Sequence, residues 1–189
     1  MQKIIFTGAQ GTGKTTVLNH FKEAGKEVIT EVVRNLANEG VKINEMGDEN
    51  GQKKIFKTYE DILSQPKDYI SDRGLIDVLA YTMYLEKRGK VSSKLVNAQR
   101  KAVKKFIKET SDVVYCYFPI EFNVVDDGVR SLDEDFRKEI DDNIKSILVE
   151  NKLTYVTIRG SEQARINMVS MLYNWLNWGI LLFHESFKR

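Results

Sequence analysis

One cysteine, two prolines and two histidines in 189 residues set the first limits on this chain. A lone thiol, Cys116, excludes an intramolecular disulfide framework and any multi-cysteine zinc site within one chain. It suits a reducing compartment, so a cytoplasmic location is expected. Two prolines and 12 glycines, against 42% hydrophobic residues, exclude a collagen, a low-complexity scaffold and a disordered tail. Charge of one sign is also lacking: Lys+Arg of 29 against Asp+Glu of 27 leave +2, so net charge names no partner. The opening apolar run, Ile4 to Phe6, is too short for the hydrophobic region of a secretory signal, and none is expected. The longest uncharged run covers residues 166–183, near the lower limit for a membrane span. Asn167, Ser170, Asn174 and Asn177 fall on one helical face of it, beside Met168, Leu172, Trp175, Leu176 and Trp178. That pattern predicts an amphipathic helix over 161–183, packed on the core or on the second subunit of a homodimer, with no membrane partner.

What is present fits a single domain, since a chain of this length buries roughly 70% of its unfolded surface without staples. Short apolar runs alternate with helical patterns, the signature of βα units around a parallel sheet. Strands are expected at 3–7, 27–30, 68–71, 111–118 and 153–158. Helices are expected at 14–23, 31–39, 53–63, 75–86, 92–108 and 133–150, with a last one from about 160; 41–52 and 121–131 read as loops. The fold class is therefore α/β: five parallel strands with helices on both faces.

The strongest motif is Gly8-Ala9-Gln10-Gly11-Thr12-Gly13-Lys14-Thr15, which fits G-x-x-x-x-G-K-[ST] after a strand and at the start of a helix. Gly8, Gly11 and Gly13 let the backbone wrap closely around phosphate oxygens, and the helix adds its positive end. Lys14 supplies a mobile charge for the β- and γ-phosphates, the Thr15 hydroxyl is placed to ligate Mg²⁺, and Thr12 and Thr16 complete the binding segment. ATP and Mg²⁺ are the expected cofactors, on a P-loop NTPase fold.

The same loop serves kinases, switch GTPases and motor ATPases, so the other strand ends must discriminate. The second expected strand runs into Glu31 with Arg34 one turn on, the third into Ser71-Asp72-Arg73-Gly74, and the loop after the fourth holds Val125-Asp126-Asp127-Gly128-Val129-Arg130-Ser131. Carboxylates there can hold metal-bound water or accept a proton from an attacking hydroxyl, and arginines can clamp phosphate. Singly, each has a plainer reading: Glu31 as a first-turn acid, Asp72 as a helix N-cap, Arg130 as a solvated loop charge. Together they favour an acceptor-binding kinase over a bare ATPase.

These elements, and Val125 to Leu132 above all, resemble the ribosylnicotinamide kinase-type domain of NadR-like P-loop proteins, from Lys3 to about Val169. The Asp72-Arg73 pair is similar, more widely, to the element of thymidylate and deoxynucleoside kinases. The resemblance implies transfer of the ATP γ-phosphoryl group to a hydroxyl of a nucleoside- or nucleotide-like acceptor. It implies a lid near 121–131 that brings Arg130 to the phosphates, and Glu31 or Asp72 as base or holder of metal-bound water. The expected assignment has Thr15 and Asp72 at the metal and Glu31 at the acceptor hydroxyl. Arg34, Arg73, Asp126 and Asp127 lie around the acceptor. Lys94, Lys101, Lys105 and Lys108 share a face of one helix opposite Leu95, Ala98, Ala102 and Phe106, which leaves DNA open as an alternative acceptor. A non-kinase NTPase is the third alternative. His20 and His184 have no neighbours at catalytic or metal-ligand spacing, and Cys116 is expected to be buried and inert.

Overall fold

The computed structural model describes residues 2–122 and 133–186, with residues 177–186 as backbone only. Five strands form one sheet: β1 (Lys3–Thr7), β2 (Val28–Ile29), β3 (Tyr69–Asp72), β4 (Val113–Tyr117) and β5 (Tyr155–Thr157), in the order β2-β3-β1-β4-β5. Every pairing is parallel, with Phe6 opposite Asp72 on one side and Cys116 on the other. Parallel strands covered on both faces need apolar residues at successive positions rather than alternate ones. The Lys3–Thr7 strand, buried at all five positions, meets that need.

The helices are α1 (Lys14–Glu23), α2 (Val32–Asn38), α3 (Glu49–Leu63), α4 (Leu75–Lys87), α5 (Ser93–Glu109), α6 (Glu134–Glu150) and α7 (Glu162–Ser186), with a 3₁₀ turn at Asn44–Met46. Alternation along β1 splits the core in two. Ile4 and Phe6 pack with Val17, Leu18 and Phe21 of α1 and Ile166 and Val169 of α7. Ile5 points the other way, into a larger cluster built from α2 to α6. In the order β2-β3-β1-β4-β5 the chain builds first to one side of β1 and then to the other, so the C-terminal edge of β1 becomes the crevice where open α/β sheets take ligands.

One boundary and two packing faces differ from the sequence expectation. The 41–52 segment is not all loop: α3 begins at Glu49, because the Asp48 side chain accepts from the Gly51 amide and caps it. Gly51 does not break this first turn. It lies against Val41 and the Lys42 carbonyl, where an added Cβ would come within 3.0 Å of the latter. On α5 the buried seam is Leu95, Val96, Gln99, Val103 and Phe106, so Ala98 is exposed rather than packed. Lys94, Lys101, Lys105 and Lys108 all remain exposed. On α7, Trp175 is 70% exposed while Ile166 and Val169 carry the packing. Among the described residues, no helix is long and apolar enough to cross a membrane.

Candidate active site

β1 delivers the chain into the glycine-rich loop, which closes on α1. Gly8 has φ +148°, and a Cβ there would sit 2.4 Å from the Phe118 carbonyl oxygen, so no side chain fits. Gly13 occupies the α1 N-cap in the left-handed region, where glycine is favoured. The first turn of α1 carries no acid to neutralise its positive end. Lys14 is buried to 4% exposure and curls back over the loop: Nζ donates to the carbonyls of Gly8 at 2.8 Å and Ala9 at 2.7 Å, and to Thr12 Oγ1 at 3.1 Å.

Asp77, which the sequence reading passed over, fixes the base of this loop. Its Oδ1 accepts from the Gly8 amide at 3.1 Å and its Oδ2 from the Gly74 amide at 3.0 Å, while Arg73 lies 3.8 Å away. Burial pushes this carboxyl up; Arg73, Lys14 and the two amides pull against that. Its clue was its place on α4, four residues after Arg73, where an acid in an apolar run has no packing reason.

Thr15 and Asp72 are brought together as expected: Thr15 Oγ1 donates to Asp72 Oδ2 at 2.9 Å. The plainer reading of Asp72 fails, because Gly74 is the residue that caps α4. Asp72 Oδ1 is buried without a hydrogen-bond partner among the described residues, and Tyr59 holds the Asp72 main chain through its carbonyl at 3.1 Å. An orphaned carboxylate oxygen beside a threonine hydroxyl and a phosphate-binding loop fits Mg²⁺, which keeps waters and takes phosphate oxygens rather than an all-protein cage. No group of three or more His, Cys, Asp or Glu able to hold a metal occurs among the described residues.

Glu31 and Arg73 both hold left-handed backbone, at φ 60° and 81°. Neither is glycine, and such strain concentrates at functional positions. Glu31 stands at the α2 N-cap but makes no side-chain cap; its Oε2 instead pairs with Arg34 Nε at 2.9 Å. Arg73 places its guanidinium 5.3 Å from the Tyr81 ring centre and near the Gly8 carbonyl. Burial works against its charge, but Tyr81, Asp77 and Asp72 outweigh that and hold its proton affinity above the ordinary value.

Gly11 to Thr16, Glu31, Arg34, Asp72 and Arg73 line one cavity of about 470 Å³, so most of the residues singled out in sequence share a site. A recess of about 50 Å³ adjoins it, sharing Val33, Ile43, Asn44 and Arg73 and adding Gln52, Ile55, Val78 and Tyr81. Gly8 lies behind this wall. Asp126, Asp127 and Arg130 lie outside the described residues. Lys94, Lys101, Lys105 and Lys108 do not line the cavity, nor does His20, and Cys116 is fully buried in β4. The sequence reading also missed Arg137 and Arg165, both 1% exposed, which donate to main-chain carbonyls of the loop.

A strand, a glycine-rich loop closed by lysine and threonine, and a helix, set where the strand order reverses in a five-stranded parallel sheet, define a P-loop NTPase fold of the kinase-like type. Within that class the chain belongs to the AAA domain family, whose pattern matches residues 3–165. Comparison with curated proteins gives no match. Among solved structures, a NadR protein in complex with NR superposes with a TM-score of 0.73 at 16% identity, over 93% of this chain and 52% of that one. The chain thus spans about half the length of that NadR protein. Deoxyadenosine kinase from M. mycoides gives 0.63 at 15% identity over 93% of this chain and 100% of that one. Thymidylate kinase from Candida albicans gives 0.60 at 16% identity, over 92% and 91%. The fold is therefore one that nucleoside and nucleotide kinases share.

Proposed function

We propose that this protein is a kinase that moves the γ-phosphoryl group of Mg-ATP to a hydroxyl of a nucleoside- or nucleotide-like acceptor. One observation carries the reading: the phosphate loop opens into the same cavity as the Glu31–Arg34 pair and Arg73. Hydrolysis alone needs a positioned water; an acid, two arginines and an adjoining recess offer room for a second substrate.

In this mechanism Lys14 leaves the Gly8 and Ala9 carbonyls for the β- and γ-phosphates as the triphosphate enters. Thr15 and Asp72 would hold Mg²⁺, which would supply positive charge against the negative charge developing on the transferring phosphoryl group. Glu31, steadied by Arg34, orients the acceptor hydroxyl and takes its proton as the acceptor oxygen bonds to the γ-phosphorus. The bond from that phosphorus to the bridging oxygen breaks, and ADP leaves. Arg73 steadies the acceptor. The roles of Arg130 at the transferring group and of Asp126 and Asp127 at the acceptor rest on the sequence resemblance alone. Positioning and charge stabilisation supply most of the rate.

Labelled ATP tested against one acceptor panel decides the matter. Nicotinamide riboside heads it, followed by deoxynucleosides and their monophosphates. DNA with and without hydroxymethylated bases is included because the α5 lysines offer a polyanion surface. Label on a free nucleoside or nucleotide is the expected result. Label on DNA would move the acceptor site to the α5 face, and phosphate released only to water would make the protein an ATPase. Glu31→Gln should lower turnover by about 10²-fold or more, the weight of a general base, with ATP affinity nearly unchanged. Wild-type turnover in that variant would remove Glu31 from the chemistry.

A further inference from the structure

Two arginines far apart in sequence converge on three carbonyls of the phosphate loop. Arg137, from the first turn of α6, donates through Nε to the Gln10 carbonyl at 2.9 Å and through NH2 to the Gly11 carbonyl at 3.1 Å. The same NH2 reaches the Phe122 carbonyl at 2.6 Å, and NH1 reaches both oxygens of Glu134 at 3.2 Å. All three nitrogens of the guanidinium are thereby engaged. Arg165, from the first turn of α7, donates through NH1 to the Thr12 carbonyl at 2.5 Å, through Nε to Gly160, and through NH2 to Glu121. Its guanidinium also lies 4.6 Å from the Phe122 ring centre.

The three carbonyls so captured belong to consecutive residues, and that decides what the contacts accomplish. A trans peptide unit is planar, with its C=O and N–H pointing in opposite directions. Drawing the Gln10, Gly11 and Thr12 carbonyls outward turns the N–H groups of Gly11, Thr12 and Gly13 the other way, and all three residues line the cavity. Arg137 does not line it and cannot touch a bound phosphate; Arg165 lines it, but its described donors go to the protein. Lys14 serves the opposite side of the loop, on the carbonyls it must release when phosphate arrives.

We propose that Arg137 and Arg165 are positioning residues that hold the phosphate loop, before any ligand binds, with its amides turned to receive a polyphosphate. This rests on the reading of the loop as a triphosphate site but not on any acceptor. Lysine keeps the charge yet offers one compact ammonium on a flexible stem, which cannot span the carbonyls that a planar fork reaches. Charge alone therefore does not substitute.

The test measures the Kd for Mg-tripolyphosphate by calorimetry in wild type, Arg137→Lys and Arg165→Lys, beside the thermal midpoint. Asp48→Ala, remote from the loop, serves as a control of similarly lowered stability. Each lysine variant should bind tripolyphosphate about tenfold or more weakly, the weight of one lost charge-assisted hydrogen bond, while the control binds as wild type does. Lysine variants within about twofold of wild type, or a control that weakens equally, would overturn the proposal. Should either lysine variant fail to fold, the wild-type protein still answers by NMR. The Nε–H signals of both arginines should stay protected on adding Mg-tripolyphosphate while the Gly11, Thr12 and Gly13 amides shift, and loss of that protection would overturn it. No binding to wild type would sink this proposal together with the triphosphate reading, whereas binding without transfer to any acceptor sinks only the kinase reading.

Discussion

Glu31 sits at a place where glycine would be easier. Its φ of 60° costs an L-residue about 1–2 kcal/mol, and its side chain makes no cap that would offset this. What keeps an acid there is the ion pair with Arg34 at the cavity wall. Glu31→Gly should accordingly raise the thermal midpoint, or leave it unchanged, while lowering turnover at least as far as Glu31→Gln. A destabilised Glu31→Gly variant would show that the glutamate serves the fold instead. Asp77 is the opposite case, an acid serving two amides at 3.1 and 3.0 Å. Asparagine has one accepting oxygen, and its amide group would face one of the two donors. Asp77→Asn should therefore cost about 1–3 kcal/mol in chemical denaturation, and weaken ATP binding because Gly8 opens the phosphate loop.

At the scale of elements, chemistry that the parallel sheet gathers at its strand ends was legible in sequence, and contacts arriving from helices elsewhere in the chain were not. The phosphate loop, and the Thr15–Asp72 and Glu31–Arg34 pairings, follow from residues at strand ends, where topology leaves little freedom. The start of α3 was hidden because Gly51 reads as a breaker until the Lys42 carbonyl is seen against it. Arg137 and Arg165 were invisible because their partners in the loop lie 127 and 153 positions away. On α5, periodicity gave a helix but misplaced its seam, since Ala98 is small enough to sit on either side. The corrected α3 start carries its own prediction. Asp48 caps the helix, so Asp48→Ala should cost about 1 kcal/mol, or about 2–4 °C in thermal midpoint at this chain size. Next to it, Glu49 accepts from Lys53 and from the Ser92 amide at the head of α5, which lowers its carboxyl from 4.5 to about 2. A lowered folded value means the contribution is complete above the ordinary value and is lost as pH falls from about 4.5 towards 2. Glu49→Gln should flatten the acid limb of stability in that window; an unchanged limb would show that the clip between α3 and α5 is made by other groups.

For the whole molecule, Cys116 offers a probe of how the sheet and the site are coupled. It is fully buried in β4, between β1 and β5, and burial pushes its thiol up to about 12. A thiol with that environment is unreactive until the strand opens. β4 runs on to Phe118, whose carbonyl closes against Gly8, so exposing Cys116 must also dismantle the phosphate loop. A ligand that binds only the intact loop should then suppress labelling by the factor 1 + [L]/Kd, about 100-fold at a hundred times Kd. The expected result is slow labelling of the free protein by a thiol reagent and about 100-fold slower labelling with saturating Mg-ATP, when opening equilibrates faster than reaction. Lys14→Ala should label at the free rate whether or not ATP is added. Labelling that ignores ATP in wild type would mean that β4 opens while the loop stays closed, and that the central sheet does not open as one unit with the site at its edge.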